Sequence, residues 1–292
     1  MVKNYFKLLR IPQWIKNLFV FVPLLFSKHF FDHDYFVLAL FGFIIFCFTS
    51  SLVYVINDII DIEADKAHPI KKQRPLPSGK ISRRKAAVAA SVLFVIVLFS
   101  AVNFDVRFYS SVGVYFVLNL FYSFKLKNIV LLDIFSIAAG FMIRVVAGAY
   151  IINVEISSWL LLTTMFISLF LAIMKRQSEL KNSAIVENAA SRKVLTHYSL
   201  DFTNQMATVA ASAVIICYAL YTVSSRTVSI FDTENLIYTT PFVVFGIFRY
   251  MYLVYINQQG ENTTEIMITD LPMILNFLFY ILATTLIVYK VV

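Results

Sequence analysis

Four polar residues after an apolar run have a spacing that favours metal chemistry. The stretch reads Asn57-Asp58-Ile-Ile-Asp61-Ile-Glu63-Ala-Asp65. On a helix, separations of three and four residues bring the asparagine and the three aspartates to one face, whereas Glu63 points elsewhere. Like charges four residues apart repel each other, and desolvating carboxylates near a membrane is costly, so this stripe requires a cation.

Oxygen ligands suit Mg²⁺, which keeps several waters and shares its coordination shell with substrate phosphates. We therefore predict an Mg²⁺ site in this carboxylate stripe. The predicted metal ligands are Asn57, Asp61, Glu63 and Asp65, and the predicted catalytic residues are Asp58, Asp61 and Asp65. The alternative is a solvated helix end whose carboxylates pair with nearby lysines and arginines.

The segment that follows the stripe is basic and contains three prolines. Cations beside a metal–carboxylate site suit an anionic ligand that both would hold. Lys71 and Arg74 are the candidates, and Arg74 is the stronger one because a guanidinium binds phosphate through two parallel hydrogen bonds. The alternative is the ordinary positive charge of a cytoplasmic loop.

A second polar cluster, Lys175-Arg176-x-x-Glu179, follows a later apolar run. Arg144 stands inside another apolar run, where an ionisable residue is a functional candidate by default. We predict that all four residues contact an anionic substrate. The alternatives are salt bridges along one helix for the cluster, and a packing role with Asp133 or a backbone carbonyl for Arg144.

Further substrate-binding candidates lie at the inner ends of predicted spans: Lys16, Asn57, Tyr122 and Lys125. Arg249, within an apolar run, has a similar but weaker case. The four histidines are scattered, so no histidine-rich metal site is visible.

The composition places these residues in a membrane protein. Of 292 residues, 60% are hydrophobic and 14% are charged, whereas a soluble domain has about 25% charged residues. A bilayer core needs about 20 mostly apolar residues for each helix. We predict one all-α integral-membrane domain over residues 1–292, with about nine spans. The spans lie near residues 17–33, 36–57, 86–104, 108–123, 130–152, 158–174, 205–224, 236–256 and 271–291.

The basic residues indicate the orientation. With a cytoplasmic N-terminus, 19 of the 25 lysines and arginines fall in cytoplasmic segments and three fall in outer segments. Cytoplasmic loops collect positive charge, so we expect a multi-pass protein of the inner (plasma) membrane with a cytoplasmic active site. The cytoplasmic loops 66–85 and 175–204 are expected to cap this site. No aromatic–basic platform lies outside the spans, so nucleic acid is not an expected partner.

The chain resembles the UbiA superfamily of intramembrane prenyltransferases. The resemblance rests on Asn57-Asp58-x-x-Asp61-x-x-x-Asp65 after a second span, within nine helices, and covers nearly the whole chain. Other matching stretches are Gln13-Trp14-Ile15-Lys16-Asn17, residues 122–127, Arg144 with Ala147-Gly148, Ser157-Ser158-Trp159 and Phe248-Arg249-Tyr250. The usual member has a second aspartate-rich motif where this chain has the Lys-Arg-x-x-Glu cluster. In this departure the chain looks most like the branch that transfers phosphoribose.

The resemblance implies Mg²⁺-dependent transfer of 5-phosphoribose from phosphoribosyl diphosphate to a polyprenyl phosphate (decaprenyl or similar) for cell-envelope polysaccharide precursors. Diphosphate would be released. One alternative is a prenyltransferase that moves an isoprenoid from its diphosphate to an aromatic or other acceptor, which would not need Arg144, Lys175 and Arg176. A transporter would be expected to have broken helices or an inverted repeat, and neither is clear. The acceptor's chain length stays open, as does whether the chain forms a homo-oligomer.

Overall fold

The computed structural model describes residues 2–67, 71–185, 193–256 and 269–290. Every regular element in these ranges is a helix, which confirms the all-α prediction. The α-helices are α1 Val2–Leu8, α2 Val22–Leu25, α3 His33–Ile60, α4 Ile62–Ala67, α5 Arg83–Ala101, α6 Val106–Phe124, α7 Leu132–Ile151, α8 Ser158–Ile185, α9 Leu200–Val223, α10 Ser225–Phe231, α11 Thr240–Tyr255 and α12 Leu271–Val288. The 3-10 helices are Ile11–Phe21, Lys71–Gln73, Leu126–Asn128, Lys193–His197 and Asn235–Thr239.

Six helical segments in the described ranges are long and apolar enough to cross a membrane. They are His33–Ile60, Leu132–Ile151, Ser158–Lys181, Leu200–Val223, Asn235–Tyr255 and Leu271–Val288. The 19-residue helices α5 and α6 occupy the predicted third and fourth spans. Phe99, Val209 and Phe277 are 60–69% exposed on outer helix faces, where lipid would cover them. The chain is thus a multi-pass membrane protein, and the predicted count of nine spans is approximate.

The first predicted span, residues 17–33, is not an α-helix. The N-terminal 3-10 helix Ile11–Phe21 leads instead into the single turn α2. Pro12 and Pro23 stand in the first turns of these two elements, where the missing N–H costs no helical hydrogen bond. A 3-10 helix longer than three or four residues is uncommon, so tertiary contacts must stabilise this one.

Those contacts come from α3 and α7. The amide of Asn17, which is fully buried, donates hydrogen bonds to Ser50 Oγ at 3.2 Å and Cys47 Sγ at 3.3 Å on α3. On the other side, a Cβ at Gly148 of α7 would lie 2.1 Å from the carbonyl oxygen of Val20. Glycine is therefore required at position 148, because only it allows the two backbones to approach this closely.

Helix α7 joins the two main apolar cores of the bundle. Ile134 and Ala138, in its first turns, pack into the core formed with α8, α9 and α11. Ala147 and Ile151, near its end, pack into the core formed with the N-terminal 3-10 helix, α3 and α6. Polar residues between and beside these positions are therefore carried into the protein interior.

The second of the two predicted capping loops is partly helical. Residues 175–185 of the predicted loop 175–204 are the last turns of α8 rather than loop, because Arg176 and Gln177 are buried and hydrogen-bonded there. Residues 68–70 and 186–192 of the two loops lie outside the described residues.

Candidate active site

Asp58, in the last turn of α3, and Asp65, in α4, converge on one nitrogen atom. The Nη1 atom of Arg74 lies 3.3 Å from Oδ1 of Asp58 and 2.6 Å from Oδ2 of Asp65. The side chains of the two aspartates are only 2% and 5% exposed. We call this pair of carboxylates the Asp58–Asp65 site, and a cation occupies the position between them.

A second guanidinium reaches the same site from the N-terminal segment. Arg10 donates a hydrogen bond to Oδ1 of Asp58 and lies over the ring of Tyr54, 4.6 Å from its centroid. Arg10 has a positive φ of 51°, in the left-handed region, which few non-glycine residues adopt. The left-handed residue links α1 to the N-terminal 3-10 helix.

The remaining carboxylates of the stripe lie apart from this pair. Helix α3 ends at Ile60, and Asp61 has the non-helical backbone angles φ −89° and ψ 10°. Its carboxylate pairs with Lys127, at 2.9 Å, from the 3-10 turn after α6. Glu63 is exposed and pairs with Lys66 at 2.9 Å. The single stripe expected on one helix face is therefore divided, because the helix breaks at Asp61.

The described residues fit a magnesium ion that arrives with its substrate. No three histidine, cysteine, aspartate or glutamate side chains within the described ranges come together as a ready-made metal cage. Mg²⁺ usually takes one or two carboxylates and completes its shell with waters and substrate phosphates. The Asp58–Asp65 site offers two oxygens around one cation position, which matches that requirement. Asn57 is half-buried beside it.

The loop that carries Arg74 is held against the bundle by its own backbone and one apolar anchor. Arg74 accepts a hydrogen bond from the Ser78 N–H at 3.0 Å and donates its own N–H to Lys71 at 2.9 Å. Leu76, 2% exposed, packs into a core with α1, α3 and α5. Lys71 Nζ lies 3.9 Å from Oδ1 of Asp65. Both loop cations predicted to bind substrate thus lie at the Asp58–Asp65 site.

Arg176 lies between Asp133 of α7 and Glu179 of its own helix, α8. Its Nε donates to Oδ2 of Asp133 at 2.7 Å, its Nη1 donates to Glu179, and its Nη2 lies 3.4 Å from the Tyr122 hydroxyl. The i,i+3 pair of Arg176 and Glu179 is the salt bridge that the sequence allowed. Asp133, considered from the sequence as a partner of Arg144, pairs with Arg176 instead. The charge of Arg176 is therefore balanced within the protein, and Lys175 is half-buried beside it.

Tyr198 completes this network from the segment before α9. Its hydroxyl donates to Oδ1 of Asp133 at 2.7 Å and accepts a hydrogen bond from the Leu131 N–H at 2.8 Å. Burial raises the pKa of the Tyr198 hydroxyl, so it remains a donor over the physiological range. Asp133, which is fully buried, thereby ties the start of α7 to the end of α8.

Arg144 has a different environment from the other buried arginine. It is 5% exposed, and it donates hydrogen bonds to Asn17 Oδ1 at 2.7 Å, the Gly140 carbonyl at 2.8 Å and the Tyr115 hydroxyl at 2.7 Å. All three acceptors are neutral, and the described residues contribute no carboxylate within 4 Å of it. Lys16 lies close enough for the charges of Arg144 and Arg10 to act on its ammonium group.

Two other candidate residues, Lys125 and Arg249, lie outside the Asp58–Asp65 site and the Arg176 network. Lys125 is exposed at the end of α6, one turn beyond Tyr122. Arg249 forms a two-point ion pair with Asp270, at 2.8 and 3.1 Å, between α11 and the start of α12.

Sequence reasoning missed the residues that pair with the predicted ones over long distances along the chain. Arg10 had counted only toward the orientation of the spans, and Lys127 only toward that orientation and the family resemblance. Both bind predicted catalytic aspartates. Tyr115 and Tyr198 had no signal in the sequence beyond being polar residues next to apolar runs, and Asn17 had only its place in a stretch that matches the family.

Comparison with known proteins identifies the family. The model of the UbiA prenyltransferase family matches residues 18–278. This chain belongs to the UbiA prenyltransferase family. The resemblance inferred from the carboxylate stripe is thereby confirmed, and the protein is a membrane transferase of this type.

Curated relatives of this UbiA protein narrow the comparison. The decaprenyl-phosphate phosphoribosyltransferase of Mycolicibacterium smegmatis is 36% identical over 77% of this chain and 71% of the relative. A protein of the same name from Corynebacterium glutamicum is also 36% identical, over 74% of this chain and 66% of the relative.

Solved structures of UbiA proteins share the fold. A UbiA homolog from Archaeoglobus fulgidus, bound to GPP and Mg²⁺, superposes with a TM-score of 0.73 at 16% identity. The superposition covers 98% of this chain and 99% of the homolog. The same homolog bound to DMAPP and Mg²⁺ superposes with a TM-score of 0.72.

Proposed function

We propose that this UbiA protein transfers 5-phosphoribose from phosphoribosyl diphosphate to a polyprenyl phosphate and releases diphosphate. The names of the relatives that are 36% identical motivate the donor and the acceptor. The structural observation that carries the proposal is the coexistence of two unlike sites. One is a carboxylate pair around a cation position, and the other is a buried arginine that has no carboxylate partner among the described residues.

These two sites match the charges of the proposed substrates. When bound, Mg²⁺ would neutralise the departing diphosphate, with Asp58 and Asp65 as its ligands and with Asn57, Asp61 and Glu63 as the further proposed ligands. A donor with one diphosphate would need no more cations than these. Phosphoribosyl diphosphate adds a 5-phosphate, and the lipid acceptor adds another phosphate. The uncompensated charge of Arg144 would bind one of these additional phosphates.

The proposed reaction requires positioning more than proton transfer. The bond between ribose C1 and the diphosphate oxygen breaks as the new bond to a phosphate oxygen of the lipid forms, through an oxocarbenium-like state. The lipid phosphate is already anionic at pH 7, so no strong general base is needed. Arg74 and Lys71, beside the carboxylates, would move onto the diphosphate oxygens and stabilise the leaving group.

The second cluster suits the sugar better than a phosphate. Arg176 is balanced by Asp133 and Glu179, so we infer that it fixes the hydroxyl of Tyr122 and the partly exposed carboxylate of Glu179. Both groups can bind ribose hydroxyls. Lys125 and Lys175 remain proposed contacts to the donor from the ends of α6 and α8.

The proposed setting is the inner (plasma) membrane, with the N-terminus and the active site facing the cytoplasm. Residues 1–292 would form one membrane domain, with segments 66–85 and 175–204 capping the site. The product would enter cell-envelope polysaccharide synthesis, and a homo-oligomer is compatible with this arrangement.

The second candidate function is transfer of an isoprenoid from its diphosphate to an aromatic or other acceptor. The observation that favours it is the fold shared with the homolog bound to GPP and Mg²⁺. An acceptor without an anionic group would leave the buried charge of Arg144 without a ligand.

Separate donors decide between the two functions. Purified protein in detergent with Mg²⁺ is given phosphoribosyl diphosphate with decaprenyl phosphate, or geranyl diphosphate with an aromatic acid, and the lipid products are weighed by mass spectrometry. We expect a phosphoribosylated lipid in the first reaction alone. Asp61→Ala should abolish diphosphate release, whereas the exposed control Asp105→Ala should not. Turnover retained in Asp61→Ala would refute the proposed role of Asp61 as a metal ligand. A prenylated product alone would refute phosphoribosyl diphosphate as the donor.

A further inference from the structure

Arg144 carries a buried positive charge that the described part of the protein does not neutralise. Burying a charge is expensive unless an opposite charge or strong hydrogen bonds compensate it. Arg176 shows how this chain compensates a buried guanidinium, since two carboxylates surround it. Arg144 has three neutral acceptors in place of carboxylates, and the rings of Tyr115 and Phe141 lie 4.5 and 5.3 Å from its Cζ.

The neutral acceptors hold the guanidinium in one orientation. Asn17 accepts from Nε while its own amide group donates to Ser50 and Cys47, so its oxygen can only point toward Arg144. The Tyr115 hydroxyl is 2.7 Å from Nη2. Three acceptors leave further N–H groups of the guanidinium available, because arginine has five such donors. A fixed cation with spare donors is prepared for an anion.

Lys16 adds a second positive charge in the neighbourhood of Arg144. It precedes Asn17 on the N-terminal 3-10 helix, is half-buried, and lies within electrostatic range of Arg144. No carboxylate of the described chain lies within 4 Å of the Lys16 ammonium group either. We call these two cations, with Asn17 and Tyr115, the Lys16–Arg144 site.

Helix geometry separates this site from the carboxylates. On α3, the side chain of Arg10 binds Asp58, whereas the amide of Asn17 binds Ser50. The eight residues from Asp58 to Ser50 span about 12 Å of α-helix. Measured along α3, the contact of Asn17 with Ser50 thus lies about 12 Å from Asp58, which is more than the length of one diphosphate.

We propose that the Lys16–Arg144 site binds a phosphate monoester, separately from the diphosphate. This assignment rests on the proposed function, in which two groups have that chemistry, namely the phosphate of the lipid acceptor and the 5-phosphate of the donor. Ligands with a single terminal phosphate suit two cations without a metal. The diphosphate belongs at the carboxylates, where it shares Mg²⁺.

Asn17→Asp is the most direct test. The substitution keeps the side-chain shape but places a carboxylate where an oxygen now lies 2.7 Å from Nε of Arg144. The protein would then neutralise its own arginine, and a monoester would have to compete with that carboxylate. Disrupting a buried charge pair weakens binding about 30-fold or more. We expect the competing carboxylate of Asn17→Asp to weaken binding of the monoester by a similar factor. Lys16→Gln, at a half-exposed position, tests the same site without placing a new charge in the core.

The experiment measures binding by the whole protein in nanodiscs rather than turnover. The probes are farnesyl phosphate, ribose 5-phosphate and Mg²⁺ with inorganic diphosphate, each titrated by calorimetry, with thermal melting to verify folding. The control Asn276→Asp makes the same exchange on α12, where the amide donates to the Phe242 carbonyl. We expect both site variants to lose a monoester by about 30-fold and to keep diphosphate, whereas the control keeps all three.

The different probes show which substrate supplies the monoester, and certain results would overturn the proposal. Selective loss of farnesyl phosphate assigns the site to the acceptor, and selective loss of ribose 5-phosphate assigns it to the donor. The proposal is overturned if the wild-type protein binds neither monoester, or if folded Asn17→Asp and Lys16→Gln both bind them as the wild type does. Equal loss of diphosphate would also overturn it. Absence of phosphoribosyl transfer would refute the proposed function but would leave these binding results unchanged.

Discussion

Replacing Arg74 by glutamine removes the cation that lies between Asp58 and Asp65. This guanidinium lies at the position that we assign to Mg²⁺, so the two cations would compete. Asp58 keeps Arg10 as a partner, whereas the main partner of Asp65 is lost. With Arg10 and Lys71 still present, the site changes from one net positive charge to electrically balanced, and a divalent cation should bind it more tightly.

The size of the effect follows from distance and exposure. Two unit charges about 4 Å apart interact by about 4 kcal/mol at an effective dielectric constant near 20. The Arg74 side chain is 29% exposed, so water weakens its attraction toward that of a surface pair, and about 2 kcal/mol is a reasonable value. Removing this competition should lower the Kd for a divalent cation about 30-fold.

Electron paramagnetic resonance of Mn²⁺, used as the probe for Mg²⁺, measures this affinity in detergent without substrate. The exposed neighbour Lys72→Gln removes one charge from the same loop and serves as the control. Diphosphate release should fall in Arg74→Gln even though the metal binds more tightly, because the arginine is also needed on the leaving group. If Arg74→Gln binds Mn²⁺ no better than the control does, the assignment of the metal position to the Asp58–Asp65 site is wrong.

Two further substitutions test the framework of the site. Gly148→Ala places a Cβ 2.1 Å from the Val20 carbonyl and should destabilise the protein by about 1–3 kcal/mol, measured as a lower melting temperature. Gly113→Ala, whose Cβ would meet no atom within 4 Å, is its control, and equal melting of the two variants would contradict the close backbone contact. Asp133→Asn puts an amide against Arg176 or Tyr198 and should cost about 3 kcal/mol, as expected for a broken buried ion pair. The exposed Asp201→Asn should melt as the wild type does, and a wild-type melt of Asp133→Asn would refute that pair.

Local features of this UbiA protein were readable from its sequence. Helix periodicity and length placed the long spans, because a bilayer core demands about 20 apolar residues for each helix. The Arg176–Glu179 pair was visible because residues three apart on a helix are neighbours. The spacing from Asn57 to Asp65 identified the family, as the match over residues 18–278 confirms.

The first span shows where local reasoning failed. Its apolar residues and Pro23 were compatible with an interrupted α-helix, yet the chain forms a 3-10 helix over Ile11–Phe21. The deciding contacts come from α3 and from Gly148, 128 positions after Val20. Local pattern cannot contain that information.

The charge pairing was decided by tertiary structure for the same reason. Arg10 with Asp58, Lys127 with Asp61, and Asp133 with Arg176 join residues 43–66 positions apart. Both Arg144 and Arg176 are buried arginines in apolar or half-apolar helices, and the sequence treats them alike. Only the packing of α7 against α8 adds Asp133 to the local partner Glu179 of Arg176. The packing of α7 against the N-terminal 3-10 helix gives Arg144 neutral acceptors and no carboxylate from the described residues.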